Sequence, residues 1–134
     1  MVSVNIGGKE FPLCLTVAAV DKINAKCGSI KQIGAFLDGK EGGGAFEMGR
    51  AMHNTAWLLG LLIQEGEENR LVNARLAGEK TERRTVPDSE AICHLLTVAT
   101  ASKYRGAVMN AVHESLRQDI EAEHPKNAEN AEQM

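Results

Sequence analysis

The chain has 134 residues, of which 43% are hydrophobic and 4% aromatic, and its formal net charge at pH 7 is −3. This length fits one domain with an aliphatic, methionine-containing core. The slightly acidic balance argues against a nucleic-acid-binding protein, which normally carries a basic face. The three cysteines (Cys14, Cys27 and Cys93) form no CxxC pair, which is typical of reduced cytosolic thiols. A disulfide between Cys14 and Cys27 stays open as an alternative.

Residues 2–15 have the pattern of a β-hairpin. Apolar and polar residues alternate in 2–6 and again in 10–15, which is the period of a half-buried strand. Gly7 and Gly8 favour a tight turn between these strands. Pro12 cannot donate to a ladder, so the second strand is expected at an edge or interrupted there.

Two short helices are expected next, over about 17–27 and 29–38. Thr16 is a suitable N-cap for the first helix, and Gly28 supplies its C-terminal stop. Ser29 opens the second helix with a capping-box pattern, and Gly39 ends it. Residues 40–44 are rich in glycine and predict a flexible loop.

The strongest pattern lies in residues 45–65, which we expect to form the central helix. Apolar residues at intervals of three or four share one face, namely Met48, Met52, Ala56, Leu59 and Ile63. Trp57, Leu58 and Leu61 add apolar surface on the opposite side. A helix that is apolar all round is buried on all sides or meets a second partner. These three residues are therefore candidate partner-binding residues, with an intramolecular core as the alternative. The run is too short to span a bilayer, which needs about 20 residues.

The C-terminal half predicts further helices separated by a loop. Gly66 is expected to end the central helix, and residues 67–77 are expected to form one more short helix. We name residues 78–86 the charged loop; residues 78–85 have no apolar anchor and predict an exposed, mobile segment. Helices are expected over 88–98 and 101–122, with a stop at Pro125 and a disordered tail over 125–134.

Together these patterns predict an α+β fold that is mainly α. An N-terminal β-hairpin is followed by a compact bundle of about five to six helices. We expect residues 1–124 to form a single globular domain. The N-terminus lacks a basic region followed by an apolar run, so no signal peptide is expected.

Motifs for catalysis or metal binding are missing from the sequence. Cys93 and His94 fail as a nucleophile and base because adjacent helix positions point about 100° apart. His113 begins a motif like HExxH, but Arg117 stands where the second zinc ligand is needed. We therefore expect no enzyme, no cofactor and no metal site.

The charged residues that follow the central helix are interpreted as solvated. Glu67 and Glu68 fit the start of a surface helix. Lys80, Arg83 and Arg84 form a small basic cluster that neighbouring glutamates dilute. No aromatic residues are interleaved with this cluster for base stacking, so it predicts a solvated loop rather than a nucleic-acid site.

The order of elements carries a resemblance to a known family. A short hairpin runs into residues 13–17 (LCLTV), and the next helix ends in 27–30 (CGSI). A second short helix ends in 36–39 (FLDG), and a longer one ends in 57–66 (WLLGLLIQEG). This arrangement resembles the tail assembly chaperones of long-tailed, non-contractile bacteriophages and prophages. The resemblance covers residues 1–66, with a looser match in the C-terminal helices and no counterpart for the charged loop.

The resemblance implies a non-enzymatic protein of the bacterial host cytoplasm. Such proteins bind the long, hydrophobic helical tape measure protein and keep it soluble until tube protein polymerises around it. They are absent from the mature virion, often self-associate, and are often made in two lengths by ribosomal frameshifting. We expect no nucleic-acid or membrane partner. The alternatives are a small structural or self-assembling phage protein (a tail or scaffold component) and an enzyme or nucleotide-binding module without a recognisable motif.

Overall fold

The computed structural model describes residues 2–40 and 44–133, and its side chains are described up to Arg117. Within these residues a two-stranded antiparallel hairpin precedes five α-helices. The elements are β1 (Ser3–Ile6), β2 (Lys9–Pro12), α1 (Val17–Cys27), a 3-10 turn (Ile30–Gln32), α2 (Ile33–Leu37), α3 (Met48–Leu76), α4 (Ser89–Leu95) and α5 (Val98–Gln133). The predicted α+β, mainly α fold is confirmed.

The hairpin packs one face against the helices. Val4 and Ile6 alternate with polar residues along β1, and both are buried in the core. The Tyr104 hydroxyl of α5 donates a hydrogen bond to the Asn5 carbonyl at 3.0 Å. Pro12 is the last residue of β2, where its missing N–H interrupts no further pairing. The hairpin is therefore stabilised by the helices, as a lone two-stranded sheet requires.

Side-chain caps begin two of the predicted helices. The Ala19 N–H donates to Thr16 Oγ1 at 3.0 Å, at the start of α1. The Ala91 N–H donates to Asp88 Oδ1 at 2.8 Å, at the start of α4. Each cap satisfies a backbone N–H that has no partner within its helix. Local sequence therefore determines where these two helices begin.

Helix α3 is the central element, and it contacts α1, α2, β2, α4 and α5. Residues 58–63 of α3 are buried without interruption, so the helix is enclosed on all sides at this level. The other side chains of the core come from β1, α1, α2, α4 and α5, and from Leu13, which follows β2. Residues 58–63 of the all-apolar stretch are therefore buried within one chain, whereas Trp57 is only partly buried.

The prediction that Gly66 ends the central helix is wrong. Helix α3 runs without a break from Met48 to Leu76, so the separate helix expected over 67–77 is part of it. The Pro12 carbonyl oxygen occupies the space that a Cβ at Gly66 would take. Nearby, the Cys14 N–H donates to the Leu62 carbonyl at 3.2 Å. Gly66 therefore permits the end of β2 to approach α3 closely.

Helix α5 begins at Val98, earlier than predicted, and its backbone continues to Gln133. The expected stop at Pro125 is not seen, although a proline inside a helix removes one backbone hydrogen bond and crowds the preceding turn. The predicted disordered tail, 125–134, and residues 41–43 of the predicted glycine-rich loop lie outside the residues described in full. In the described part of the chain, no helix has the length and apolarity to cross a membrane.

Candidate partner-binding groove

The three predicted partner-binding residues have different surroundings. Leu58 and Leu61 are 0% and 6% exposed and belong to the hydrophobic core. Trp57 is partly buried, and its ring meets the edge of Phe36 at a centroid distance of 5.7 Å. Lys26 Nζ lies 5.7 Å from the centre of the indole. The prediction of a surface patch is therefore wrong for both leucines, because other elements surround α3 at this level.

One group of exposed apolar side chains lies near the beginning of α3. Phe46, Met48 and Val98 are 59%, 54% and 67% exposed. They border an open groove of about 210 Å³ between the start of α3, the end of α2 and the start of α5. We name this feature the apolar groove. Its main apolar lining is Leu37, Phe46, Met48, Met52, Val98 and Ala101.

The apolar groove continues the stripe that the sequence predicts along α3. Ala56, Leu59 and Ile63 of this stripe are buried in the core. Met48 and Met52 belong to the same stripe but lie nearer the N-terminus, where residues of α2 and α5 flank them. The period of the stripe is therefore correct, and its first two residues face an open groove instead of the core.

A polar group interrupts the apolar lining at Arg105. Its Nη2 lies 2.7 Å from Asp38 Oδ1, so this ion pair joins α5 to the end of α2. Its Nε is buried and has no hydrogen-bond partner among the described residues. A buried donor without a partner carries a desolvation cost. The groove thus combines adaptable apolar side chains with one unsatisfied donor in its wall.

The opposite end of α3 carries a buried carboxylate with several partners. Glu67 is 5% exposed, and both of its oxygens accept hydrogen bonds from Arg70, at 2.8 and 2.7 Å. The Arg84 N–H donates to Glu67 Oε2 at 2.6 Å. The Arg70 hydrogen bonds chiefly, and then the Arg84 N–H and the two positive charges, lower the pKa of Glu67 from 4.5 to about 2. Burial acts in the opposite direction but is outweighed.

The charged loop is bound to α3 by this carboxylate and its neighbours. Arg70 also donates to Thr81 Oγ1 and to the Glu82 carbonyl, both at 2.7 Å. Arg83 pairs with Glu68 on the helix. The interpretation of these charges as solvated is therefore wrong for the buried Glu67. The loop is anchored by these polar contacts and, at its last residue, by Val86, which packs against the core.

No group of three or more His, Cys, Asp or Glu residues in the described part of the chain is placed to hold a metal ion. Cys14, Cys27 and Cys93 form no disulfide with one another. The structure does bring Cys93 close to an imidazole, but to that of His53 rather than His94. The sequence gives no sign of this contact, because the two residues belong to different helices.

Comparison with known proteins adds no name to these features. No protein-family model, curated protein or solved structure matches the chain. A functional proposal therefore depends on the resemblance in the order of elements and on the geometry of the described residues.

Proposed function

We propose that this protein is a non-enzymatic tail assembly chaperone of a long-tailed phage or prophage. It would bind the tape measure protein and keep it soluble in the host cytoplasm while the tail assembles, and it would be absent from the mature virion. The observation that carries the proposal is the apolar groove, where three large apolar side chains are more than half exposed. The order of the hairpin and helices supports the choice of family.

The chemistry of the apolar groove suits a helical partner of varied sequence. An amphipathic helix binds such a groove by inserting apolar side chains from one face. Met48 and Met52 have flexible, polarizable side chains that adapt to different apolar shapes. A partner with many apolar segments requires this tolerance, because no single segment has to fit closely.

The size of the apolar groove suits a partner that must later be released. A volume of about 210 Å³ accepts only a few side chains, so one contact is weak. Several copies on one long partner helix would cover its apolar surface through repeated weak contacts. Each copy would then dissociate separately when tube protein takes its place.

The test is co-expression with the tape measure protein of the same phage or prophage. We expect the wild-type chain to raise the soluble fraction of the tape measure protein, and the double variant Phe46→Ser/Met48→Gln to lose most of that effect. Leu76→Gln is the matched control, since it removes an exposed apolar side chain at the other end of α3. Lack of rescue by the wild-type chain, or equal rescue by the groove variant, would contradict the proposal.

A second candidate is a small structural or self-assembling tail or scaffold protein. The observation that favours it is a separate pair of exposed apolar residues, Val72 and Leu76, which lie four residues apart on one face of α3. Copies of the chain could associate through this pair. Mass spectrometry of purified particles distinguishes the candidates, because a structural protein is present in them and an assembly chaperone is absent. A sedimentation shift on Leu76→Gln would identify the surface used.

A further inference from the structure

A thiol and an imidazole meet between α3 and α4. Cys93 Sγ and His53 Nδ1 are 3.9 Å apart, and both residues are exposed to solvent. The pair opens onto a cavity of about 150 Å³. The cavity walls include the apolar side chains of Met52, Ala56 and Leu96. A nucleophile, a base and an apolar recess are therefore present at one place.

The packing of α4 against α3 produces this pair. A Cβ on Gly60 would lie 2.6 Å from Ser89 Oγ, so glycine is needed where the start of α4 meets α3. Ser89 Oγ donates to the Trp57 carbonyl at 3.0 Å. Cys93 lies one turn after Ser89 in α4, and His53 lies one turn before Trp57 in α3. Because the two helices are antiparallel, these two residues also meet. The contact that fixes the start of α4 therefore also brings the thiol to the imidazole.

We propose that Cys93 is a reactive thiol that His53 activates toward low-molecular-weight disulfides, and that a mixed disulfide forms in this cavity. With the ring proton on Nε2, His53 Nδ1 accepts the thiol proton. The thiolate attacks one sulfur of the disulfide, and a new S–S bond forms at Cys93 as the old one breaks. The other half leaves as a thiolate and takes the proton from the imidazolium. One disulfide is consumed and one is formed, so no further oxidant is required.

Cys14 provides an internal reference for this reactivity. It is partly buried between the hairpin and α3, and burial, with the charge of Glu65 as a smaller cause, raises the pKa of its thiol. A raised pKa lowers the thiolate fraction and therefore the rate of attack. Cys93 is exposed and adjoins an imidazole. The apolar walls beside it favour a disulfide with an uncharged aromatic or aliphatic body.

The experiment measures the rate of mixed-disulfide formation at each cysteine of the native chain. The probe is dithiodipyridine, an uncharged aromatic disulfide, and peptide mass spectrometry separates the three sites. We expect Cys93 to react first, and His53→Gln to lower its rate about tenfold through loss of the base. His94→Gln is the matched control, because it removes an exposed imidazole next to Cys93 in sequence. In this variant the rate at Cys93 should stay within about twofold of wild type.

Two outcomes in the folded protein, and a third in urea, would overturn this proposal. One is an unchanged rate at Cys93 in His53→Gln, and the other is an equal fall in His94→Gln. In urea, where the contact between α3 and α4 is lost, wild type and His53→Gln should react at the same rate. A difference that persists in urea would show that the fold is not its cause. The inference is independent of the proposed function, since it requires no macromolecular partner.

Discussion

The two halves of α3 belong to one continuous helix but differ in the groups that surround them. At the C-terminal half, Glu67 is buried and receives hydrogen bonds from Arg70 and from the charged loop. At the N-terminal half, Met48 and Met52 line a groove that no described residue fills. A buried carboxylate must find its partners within the fold, because an unpaired one is strongly destabilising. An exposed methionine costs little, so that end of the helix is available to a second molecule.

At the two ends of α3, the largest effect is expected at Gly66, where the end of β2 approaches the helix closely. Gly66→Ala should lower the free energy of unfolding by about 2–4 kcal/mol, because its Cβ would overlap the Pro12 carbonyl. Urea denaturation measures this change. Gly106→Ala is the matched control, since Gly106 lies in α5 with no atom near the added Cβ. It should be neutral or stabilising by up to about 1 kcal/mol, as alanine favours helices. Equal effects of the two substitutions would show that β2 does not press on α3.

The next largest effect is expected at the C-terminal half of α3, which contains Glu67. Glu67→Gln should lower the free energy of unfolding by about 2 kcal/mol, because Arg70 loses its ionic partner in a mostly buried setting. Glu68→Gln should change stability little, since Glu68 pairs with Arg83 in solvent. Denaturation curves of both variants give the two changes in the free energy of unfolding. A larger loss for Glu68→Gln would mean that the loop is held mainly by its surface charges.

Acid should weaken the same end of α3 in a defined pH window. The pKa of Glu67 is lower in the folded chain, about 2, than its ordinary value of 4.5. Its contribution to stability is therefore complete above about pH 4.5 and is lost as the pH falls toward 2. We expect wild type to lose about 2 kcal/mol from this group between pH 7 and pH 3. Measured in parallel, Glu67→Gln should lose correspondingly less. Identical pH profiles would contradict the assigned pKa.

Local signals predicted most of the fold because they act within one element. Thr16 and Asp88 cap the helices that their sequence positions indicate, and the alternation in β1 buries Val4. The role of Gly66 is not visible in the local sequence, because it depends on Pro12, which is distant in sequence. A glycine that ends a helix and a glycine that admits a neighbouring backbone have the same local pattern.

The site was less predictable because exposure depends on how helices align. The stripe containing Met48 and Leu59 is visible in the sequence, but its period does not indicate where the covering elements end. For the same reason, the sequence does not indicate that Leu58 and Leu61 belong to the core. Likewise, the pairing of Cys93 with His53 follows from the antiparallel alignment of α4 on α3, which no single segment encodes.

The smallest expected effect on stability is at the N-terminal half of α3, which borders the apolar groove. Met48→Gln should change the free energy of unfolding by less than about 0.5 kcal/mol, because the side chain is already more than half exposed. Leu59→Ala, on the same stripe but fully buried, should cost about 2–5 kcal/mol. Urea denaturation measures the free energy of unfolding of both variants. A large loss for Met48→Gln would show that Met48 belongs to the core and does not line an open groove. A near-zero cost would mean that the methionine does little for the fold itself, so that any loss of tape measure rescue in a groove variant reflects binding rather than unfolding.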